Sequence, residues 1–235
     1  IPLGDLSSGL YSVIGILSAL LSKEQTGLGQ NIDISLLDVQ ISLLTYMATM
    51  QTLSGKDPEP IGNAHFVHVP YNTFTAQDGF IVIAVITNAF WHSLLDVVDI
   101  DCLRDPKFDD QSGRLANQEY IEQELNKKLV TQSSDHWINA LNKVKVPCGP
   151  INNFSEALSD EQVLSRNMVV EVEHPDGGFV KMPGNPVKLS YTDEDSYSPP
   201  PHLGQHTKEV LKSWAGYNSS QIEDLISDNI VQTDD

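Results

Sequence analysis

Residues 1–30 of this 235-residue chain read IPLGDLSSGLYSVIGILSALLSKEQTGLGQ. Apolar side chains recur in this stretch every three or four residues, which is the spacing of one helix face, and predict a buried helix over residues 7–25. Gly27 predicts the end of the helix, because glycine readily adopts the left-handed conformation that follows a last helical turn. The stretch therefore indicates a long buried helix with an acidic residue, Asp5, just before it.

A second long helix is predicted for residues 35–54, after a short strand at residues 31–35. Ser35 is a suitable N-cap, and Asp38 three positions later completes a weak capping box. This helix is apolar most of the way round, so we expect it to be buried on several sides or to lie in a subunit interface. A loop follows over residues 55–64.

The pattern changes to β after residue 65. Strands predicted within residues 67–74 and 80–85 flank an Asp-Gly turn at residues 77–79, a strong hairpin signal. A second pair of strands is predicted at residues 169–174 and 178–182. Helices are predicted at 88–98, 117–130, 133–144, 154–158, 160–165, 205–214 and 219–227.

These elements predict an α+β fold in three parts. Residues 1–64 carry the long helices, residues 65–190 form a smaller mixed domain, and residues 191–235 form a C-terminal strap with two short helices. The strap itself, residues 192–203, is polar and rich in proline. No Gly-x-Gly-x-x-Gly lies between a strand and a helix, so the sequence offers no dinucleotide fingerprint.

Composition restricts the possible partners. The net charge of −18 argues against nucleic acid and anionic membranes, because few basic side chains are available to neutralise phosphates. The apolar run from Leu10 to Leu21 is short and interrupted by serine, so we expect no membrane span. Residues 1–3 lack the features of a signal peptide. We expect a cytoplasmic protein, or one of the mitochondrial matrix in a eukaryote.

Asp5 is the first candidate for chemistry, and it has two interpretations. A carboxylate before a helix can cap it by accepting backbone N–H bonds. The same position also suits a nucleophile, which must be ionised and held in place. The neighbouring Gly4 and Gly9 would let a substrate approach closely, but spacing alone does not choose between the two roles.

Two histidines and a tyrosine form a second candidate group. His65 and His68 can each be structural, held by a hydrogen bond in a loop or strand. Alternatively, one of them lines a pocket together with Tyr71. No third ligand stands beside them at metal-binding spacing, so we predict no metal site. Cys148 is expected to pack in a rigid turn, and His202 and His206 to cap the next helix.

Several segments together resemble class III CoA-transferases of the CaiB/BaiF type. They follow one another in the family's order along nearly the whole chain: Gly4–Gly9, Thr26–Gln30, Val69–Tyr71 with Phe74 and Asp78–Gly79, Arg114 with Asn117, Val146–Asn152, His174–Pro175 with Gly184–Pro186, and Leu203–Thr207. The resemblance implies a chain that corresponds to the C-terminal part of the enzyme. A preceding half would carry most CoA contacts, so we expect these residues alone to be inactive.

The resemblance also implies the chemistry. Asp5 would attack an acyl-CoA thioester and form an anhydride, then an aspartyl-CoA thioester, and pass CoA to a carboxylic acid. The CoA thioester is then a substrate, and no permanently bound cofactor is expected. Gly4, Gly9, His65 and Tyr71 are the pocket candidates. Two subunits of this family interlock, so we expect a homodimer.

Two other functions remain open. The superfamily includes α-methylacyl-CoA racemases, in which an aspartate at this position acts as acid and base. Those enzymes tend to have a glycine run after the aspartate and a glutamate after the second strand, where this chain has Leu6–Ser8 and Thr87–Ala89. The chain also lacks the consecutive glycines of some transferases, with only Gly62 before Asn63–His65.

The second alternative is a non-catalytic half that only binds a partner.

Overall fold

The structure is a computed structural model that describes residues 1–192 and 196–234. It comprises two compact units, Ile1–Phe66 and Val67–Asp235. Among these residues helices predominate, and the strands form two small antiparallel sheets, which confirms the α+β class. Part of the predicted strap falls on residues 193–195 and lies outside the described residues.

The first unit contains three helices, α1 (Leu3–Thr26), α2 (Leu36–Leu43) and α3 (Thr45–Ser54). Helix α1 ends at Gly27, as predicted, with a φ of 75°. It begins at Leu3, four residues earlier than expected. The predicted helix over 35–54 is divided at Leu44, and Thr45, the first residue of α3, adopts a φ of 50°.

Residues 31–35 do not form the predicted strand, since no neighbouring strand pairs with them in the described chain. Ile32 and Ile34 pack on α1 instead. A Cβ on Gly15 would lie 3.1 Å from Ile32 Cγ2 and 3.6 Å from Ile34 Cδ1. The absent side chain at position 15 therefore lets this segment approach the helix.

The expectation of a buried first helix is wrong for this chain. Within α1 only Ser7 is buried, and α2 buries only Val39. The apolar residues that defined the predicted faces are exposed: Leu10, Val13, Ile14, Leu17, Leu20, Leu21, Leu36, Leu37 and Ile41. The sequence periodicity indicates a face that suits burial, but residues 1–192 and 196–234 do not cover it.

The same helix is long and apolar enough to cross a membrane by length and composition alone. It has 24 residues and a mean hydropathy of 1.4 over its most apolar window. At 1.5 Å per residue it spans about 36 Å. The run from Leu10 to Leu21 belongs to this longer helix, so its length alone does not exclude a membrane span. Coverage of α1 by protein outside residues 1–235 stays a prediction.

The core of the second unit surrounds a three-stranded sheet. Strands β1 (Tyr71–Thr75) and β2 (Phe80–Ala84) form the predicted hairpin, with Phe74 opposite Ile81, and β3 (Cys148–Pro150) pairs with the other edge of β2. Four α-helices and two 3₁₀ segments lie between β2 and β3: α4 (Asn88–Val98), Asp101–Arg104, Pro106–Phe108, α5 (Gln111–Ala116), α6 (Gln118–Leu129) and α7 (Ser134–Lys143).

The sheet and the surrounding helices enclose the main core of the second unit. Its large buried apolar side chains include those of Trp91, Leu94, Phe108, Ile121, Leu125, Trp137 and Leu141.

The remainder of the second unit is built from short elements. Helices α8 (Phe154–Ser159) and α9 (Glu161–Ser165) precede a hairpin of β4 (Val169–Glu173) and β5 (Phe179–Pro183). Helices α10 (Thr207–Ser213) and α11 (Ser219–Ser227) follow. All four helices and both strands lie within a few residues of the predicted positions.

Candidate functional site

Asp5 is the third residue of α1 and lies in its first turn. The N-cap position is held by Pro2, and no side chain makes a capping hydrogen bond there. The capping interpretation of Asp5 is therefore wrong in its geometry, because the helix begins before the aspartate. A carboxylate in a first turn is still favoured by the positive end of the helix dipole.

The Asp5 carboxylate is exposed and available. Across residues 1–192 and 196–234, no hydrogen bond or ion pair engages it. The nearby hydroxyls, in contrast, donate to the helix backbone: Ser7 to the Leu3 carbonyl oxygen at 2.6 Å and Ser8 to that of Gly4 at 2.7 Å. Asp5 is consequently the ionisable group of this turn that can engage a ligand.

The two glycines beside Asp5 have different surroundings. A Cβ on Gly4 would lie 3.3 Å from both Cδ and Nε2 of Gln40, so Gly4 lets α2 approach the first turn of α1. A Cβ on Gly9 would meet nothing within 4 Å. The open surface at Gly9 is compatible with a substrate contact, and its role in the pocket remains a prediction.

His65 also belongs to the first unit and takes part in an aromatic stack. Its ring lies 4.5 Å from that of Phe66 at an interplanar angle of 19°, and the Phe66 ring lies 5.8 Å from Tyr46 on α3. The stack fixes the imidazole at the end of the loop that contains Gly62. This geometry orients His65, and its place in the pocket remains a prediction.

His68 and Tyr71 lie in the second unit. Both are half-buried, and Tyr71 opens β1 opposite Ala84. The predicted strand begins later than expected, at Tyr71 rather than Val67, after a cis peptide bond between Val69 and Pro70. His68 therefore precedes the strand. The pocket role of Tyr71, like that of His65, remains a prediction.

A buried arginine is the polar centre of the second unit, and the residue patterns alone gave no reason to expect it to be buried. Arg114 is wholly inaccessible, and its guanidinium lies 5.3 Å from the Trp91 ring. Burial lowers the pKa of Arg114, while the Asp110 and Asp109 carboxylates oppose that shift. The Arg114 side chain donates five hydrogen bonds. Three go to the carbonyl oxygens of Val69 (2.9 Å), Phe108 (2.8 Å) and Asp109 (3.1 Å). Two go to the amide oxygens of Asn88 (2.9 Å) and Gln111 (3.0 Å).

The remaining sequence candidates have structural surroundings. Cys148 is half-buried in β3, and burial raises the pKa of its thiol, which disfavours a reactive thiolate. His206 occupies the N-cap position of α10, but its side chain makes no capping bond, so the expected capping role is wrong. His202 likewise caps no helix and faces Asp176.

Two cavities flank the helices without including Asp5. One of 200 Å³ lies in the first unit between α1 and α2 and is lined in part by Tyr11, Asp33 and Asp38. Another of 630 Å³ lies in the second unit and is lined in part by Asp78 and Asp135. Asp5, which is exposed, lines neither of them.

Comparison with known proteins shows what the chain is similar to. Human succinyl-CoA:glutarate CoA-transferase is 32% identical over 98% of this chain and 53% of its own length. Acetyl-CoA:oxalate CoA-transferase from Acetobacter aceti is 34% identical over 91% of this chain and 54% of its own length. The chain thus spans about half the length of these relatives.

Solved structures and a family model agree with this similarity. A CaiB/BaiF family protein from Brucella suis superposes with a TM-score of 0.77 at 32% identity, covering 89% of this chain and 55% of that protein. The protein Rv3272 from Mycobacterium tuberculosis, at 21% identity, has the same fold with a TM-score of 0.73, covering 88% of this chain and 56% of its own. The family model described as CoA-transferase family III matches residues 1–207. The chain belongs to CoA-transferase family III.

Proposed function

We propose that this protein transfers CoA from an acyl-CoA to a carboxylic acid, with Asp5 as the nucleophile. The observation that carries the proposal is the exposed, unengaged Asp5 carboxylate in the first turn of α1, within the region matched by the family model. Relatives named for succinate, glutarate and oxalate favour a small dicarboxylic acid as the acceptor.

The transfer requires four steps at Asp5. The carboxylate attacks the thioester carbonyl, and CoA leaves as a thiolate, giving a mixed anhydride. The thiolate then attacks the aspartyl carbonyl and expels the donor acid, which leaves an aspartyl-CoA thioester. The acceptor carboxylate attacks the aspartyl carbonyl of this thioester and expels the CoA thiolate, which gives a second anhydride. The thiolate finally attacks the acceptor's carbonyl and regenerates the aspartate.

A carboxylate suits this sequence better than a hydroxyl would. An anhydride retains the reactivity of the thioester, whereas attack by a serine would end in a stable ester. Water must be excluded, because it would hydrolyse the anhydride. The exposure of Asp5 in this chain therefore supports the proposal that other protein atoms close the site during turnover.

The racemase alternative is less well supported. A glutamate after the second strand would be expected in such an enzyme, but Thr87 and Asn88 occupy that position here. The Thr87 hydroxyl oxygen accepts the Phe90 N–H at 3.2 Å, and the Asn88 amide oxygen accepts from Arg114 at 2.9 Å. Both side chains thus have structural partners, and neither can exchange a proton as a carboxylate does.

We also propose that a second copy and the rest of the protein cover the exposed faces of α1 and α2. A row of large apolar side chains along both helices is exposed, as far as the described chain extends. Exposed apolar surface on this scale marks a protein interface. Light scattering on the full-length protein is expected to give the mass of a dimer, and a monomer at micromolar concentration would contradict this part of the proposal.

Trapping of the covalent intermediate tests the function directly. The full-length protein is incubated with succinyl-CoA, quenched with hydroxylamine or borohydride, digested and analysed by mass spectrometry. We expect a hydroxamate or an alcohol at Asp5, and no such product in Asp5→Asn. Asp38→Asn is the matched control, since Asp38 is an acidic residue in the first turn of α2.

The outcomes separate the three functions. Modification of Asp5 with CoA transfer to glutarate or oxalate supports the transferase. An unmodified Asp5 in a protein that exchanges the α-proton of a 2-methylacyl-CoA in deuterium oxide would support the racemase. A full-length protein that does neither would support a non-catalytic binding role.

A further inference from the structure

Two histidines and an aspartate, distant in sequence, meet on the surface of the second unit. His174 and Asp176 lie in the turn between β4 and β5, and His202 lies before α10. One imidazole nitrogen from each histidine and one Asp176 oxygen lie within 4.8 Å of one another. Asp176 and His202 are 26 residues apart, so local sequence spacing does not reveal this group.

The two carboxylate oxygens face different imidazoles. His174 Nδ1 lies 3.6 Å from Asp176 Oδ2, and His202 Nε2 lies 3.4 Å from Asp176 Oδ1. Both distances exceed a normal hydrogen bond of about 2.7–3.2 Å. Each is close to the separation of about 3.3 Å between two neighbouring ligands of a tetrahedral metal ion with bonds of about 2.0 Å. The Asp176 side chain is exposed, so a rotation of its carboxylate can turn one oxygen toward both imidazoles.

His174 Nδ1 also has a backbone contact within the group. It accepts the backbone N–H of Asp176 at 3.2 Å, which is at the long end of the range for such bonds. An ion bound at Nδ1 would replace this long contact with a metal–nitrogen bond.

Both sides of the group are held by backbone geometry. In the β4–β5 turn, the His174 N–H donates to the Gly178 carbonyl oxygen at 3.0 Å, and Gly177 has a φ of 95°. On the other side, the Gln205 N–H donates to the His202 carbonyl oxygen at 3.1 Å, and Gly204 has a φ of 83°. The backbone segments that carry the three side chains are therefore held in place before any ion binds, which favours affinity.

We propose that His174, Asp176 and His202 bind one divalent transition metal ion of the zinc type. Two imidazoles and a carboxylate suit Zn²⁺, and with three protein ligands a water would complete the tetrahedron. The ion would tie the β4–β5 turn to the segment that leads into α10. This replaces the expectation of no metal, which rested on the surroundings of His65 and His68, and it is independent of CoA transfer.

Calorimetry with ZnCl₂ on the untagged, chelator-treated full-length protein tests the proposal. We expect one ion per chain, and an affinity at least about tenfold lower in His202→Ala, since even outer partners of metal ligands contribute about 10- to 100-fold. His206→Ala is the matched control, because His206 is exposed on the same segment and lies outside the group. It should bind zinc as the unmodified protein does.

Cobalt gives a second measurement that reports the ligands themselves. Co²⁺ in the site should show visible absorption of a four- or five-coordinate ion, which Asp176→Asn and His202→Ala lose and His206→Ala retains. Asp176→Asn keeps the shape of an exposed turn residue, so misfolding would not explain its loss. Absence of stoichiometric binding, or equal binding in His202→Ala and His206→Ala, would overturn the proposal, whether or not CoA transfer is observed.

Discussion

Arg114 donates its Nε–H to the carbonyl oxygen of Val69 over 2.9 Å, and neither residue is accessible to solvent. The bond fixes the chain just before β1 to helix α5. Two other guanidinium bonds hold the Phe108 and Asp109 carbonyl oxygens, which precede α5, and two more reach the amide oxygens of Asn88 on α4 and Gln111 on α5. One side chain thus satisfies buried polar groups from three parts of the second unit.

Replacement of this arginine should strongly destabilise the second unit. Lysine has three donors on a single atom and cannot reproduce the planar fork, so Arg114→Lys leaves buried carbonyl oxygens unsatisfied. We expect a loss of about 2–4 kcal/mol in the free energy of unfolding, measured by urea denaturation.

Arg104→Lys is the matched control for this substitution. Arg104 is partly exposed and pairs with Asp96 at 3.3 Å. Its replacement should cost less than about 1 kcal/mol, as is usual for surface ion pairs. Equal costs at positions 104 and 114 would show that burial of the guanidinium network does not stabilise the fold.

Much of this fold could be predicted from local patterns. The Asp78–Gly79 turn marked the first hairpin, and Gly27 marked the end of α1, because each depends on chemistry within a few residues. The burial of α1 and α2 could not be judged in the same way. Periodicity shows that a face suits burial but does not show which chain covers it.

The candidate site shows the same division. Asp5 could be singled out from its place beside Gly4 and the first helix. The Arg114 network and the group formed by His174, Asp176 and His202 could not be predicted from spacing, because their partners are brought together by tertiary folding. The break at Thr45 was missed since its positive φ has no signal in the sequence.

Gly113 is a position where even one methyl group should not fit. A Cβ there would overlap the carbonyl oxygen of Lys107, which is backbone and cannot move aside. We expect Gly113→Ala to lower the free energy of unfolding by about 2 kcal/mol or more, despite the better helix propensity of alanine. Thermal or urea unfolding measures the difference.

Gly79→Ala provides the comparison. A Cβ on Gly79 meets nothing within 4 Å, and its φ is not in the left-handed region. This variant should stay within about 1 kcal/mol of the unmodified protein. If Gly113→Ala were equally harmless, the close approach of α5 to Lys107 would not exist in solution.

Cys148 should react slowly with alkylating reagents in the folded protein. Burial raises the pKa of its thiol, so the reactive thiolate is scarcer at a given pH than in the unfolded chain. The rate of iodoacetamide labelling at Cys148, followed by mass spectrometry, should increase when urea unfolds the protein. In the folded protein the labelling rate should continue to rise with pH above the range in which labelling of the unfolded protein has levelled off, because the folded thiol has the higher pKa. If the folded and unfolded proteins gave the same dependence of labelling rate on pH, the burial of this thiol would be contradicted.

Residues 1–235 expressed alone should show no CoA transfer. They span 53% of the length of the human relative, and the helices α1 and α2 expose their apolar faces. The isolated chain should therefore bind the dye ANS more strongly than the full-length protein, which fluorescence measures at equal concentration. Robust turnover by residues 1–235 would contradict the proposal that other protein atoms close the site around Asp5.

Asp5 offers a final test in which activity and stability should separate. Its carboxylate has no hydrogen-bond or ion-pair partner in the part of the chain that the structure describes, so Asp5→Asn should leave the urea midpoint of the full-length protein nearly unchanged. An amide cannot form the anhydride, so kcat should fall at least about 10³-fold. Asp38→Asn should retain most activity, because Asp38 lines the small cavity between α1 and α2, and Asp5 is not part of that cavity. An equal loss in both variants, or a loss in Asp5→Asn that follows its unfolding, would mean that the first turn of α1 has a structural role and that the nucleophile lies elsewhere.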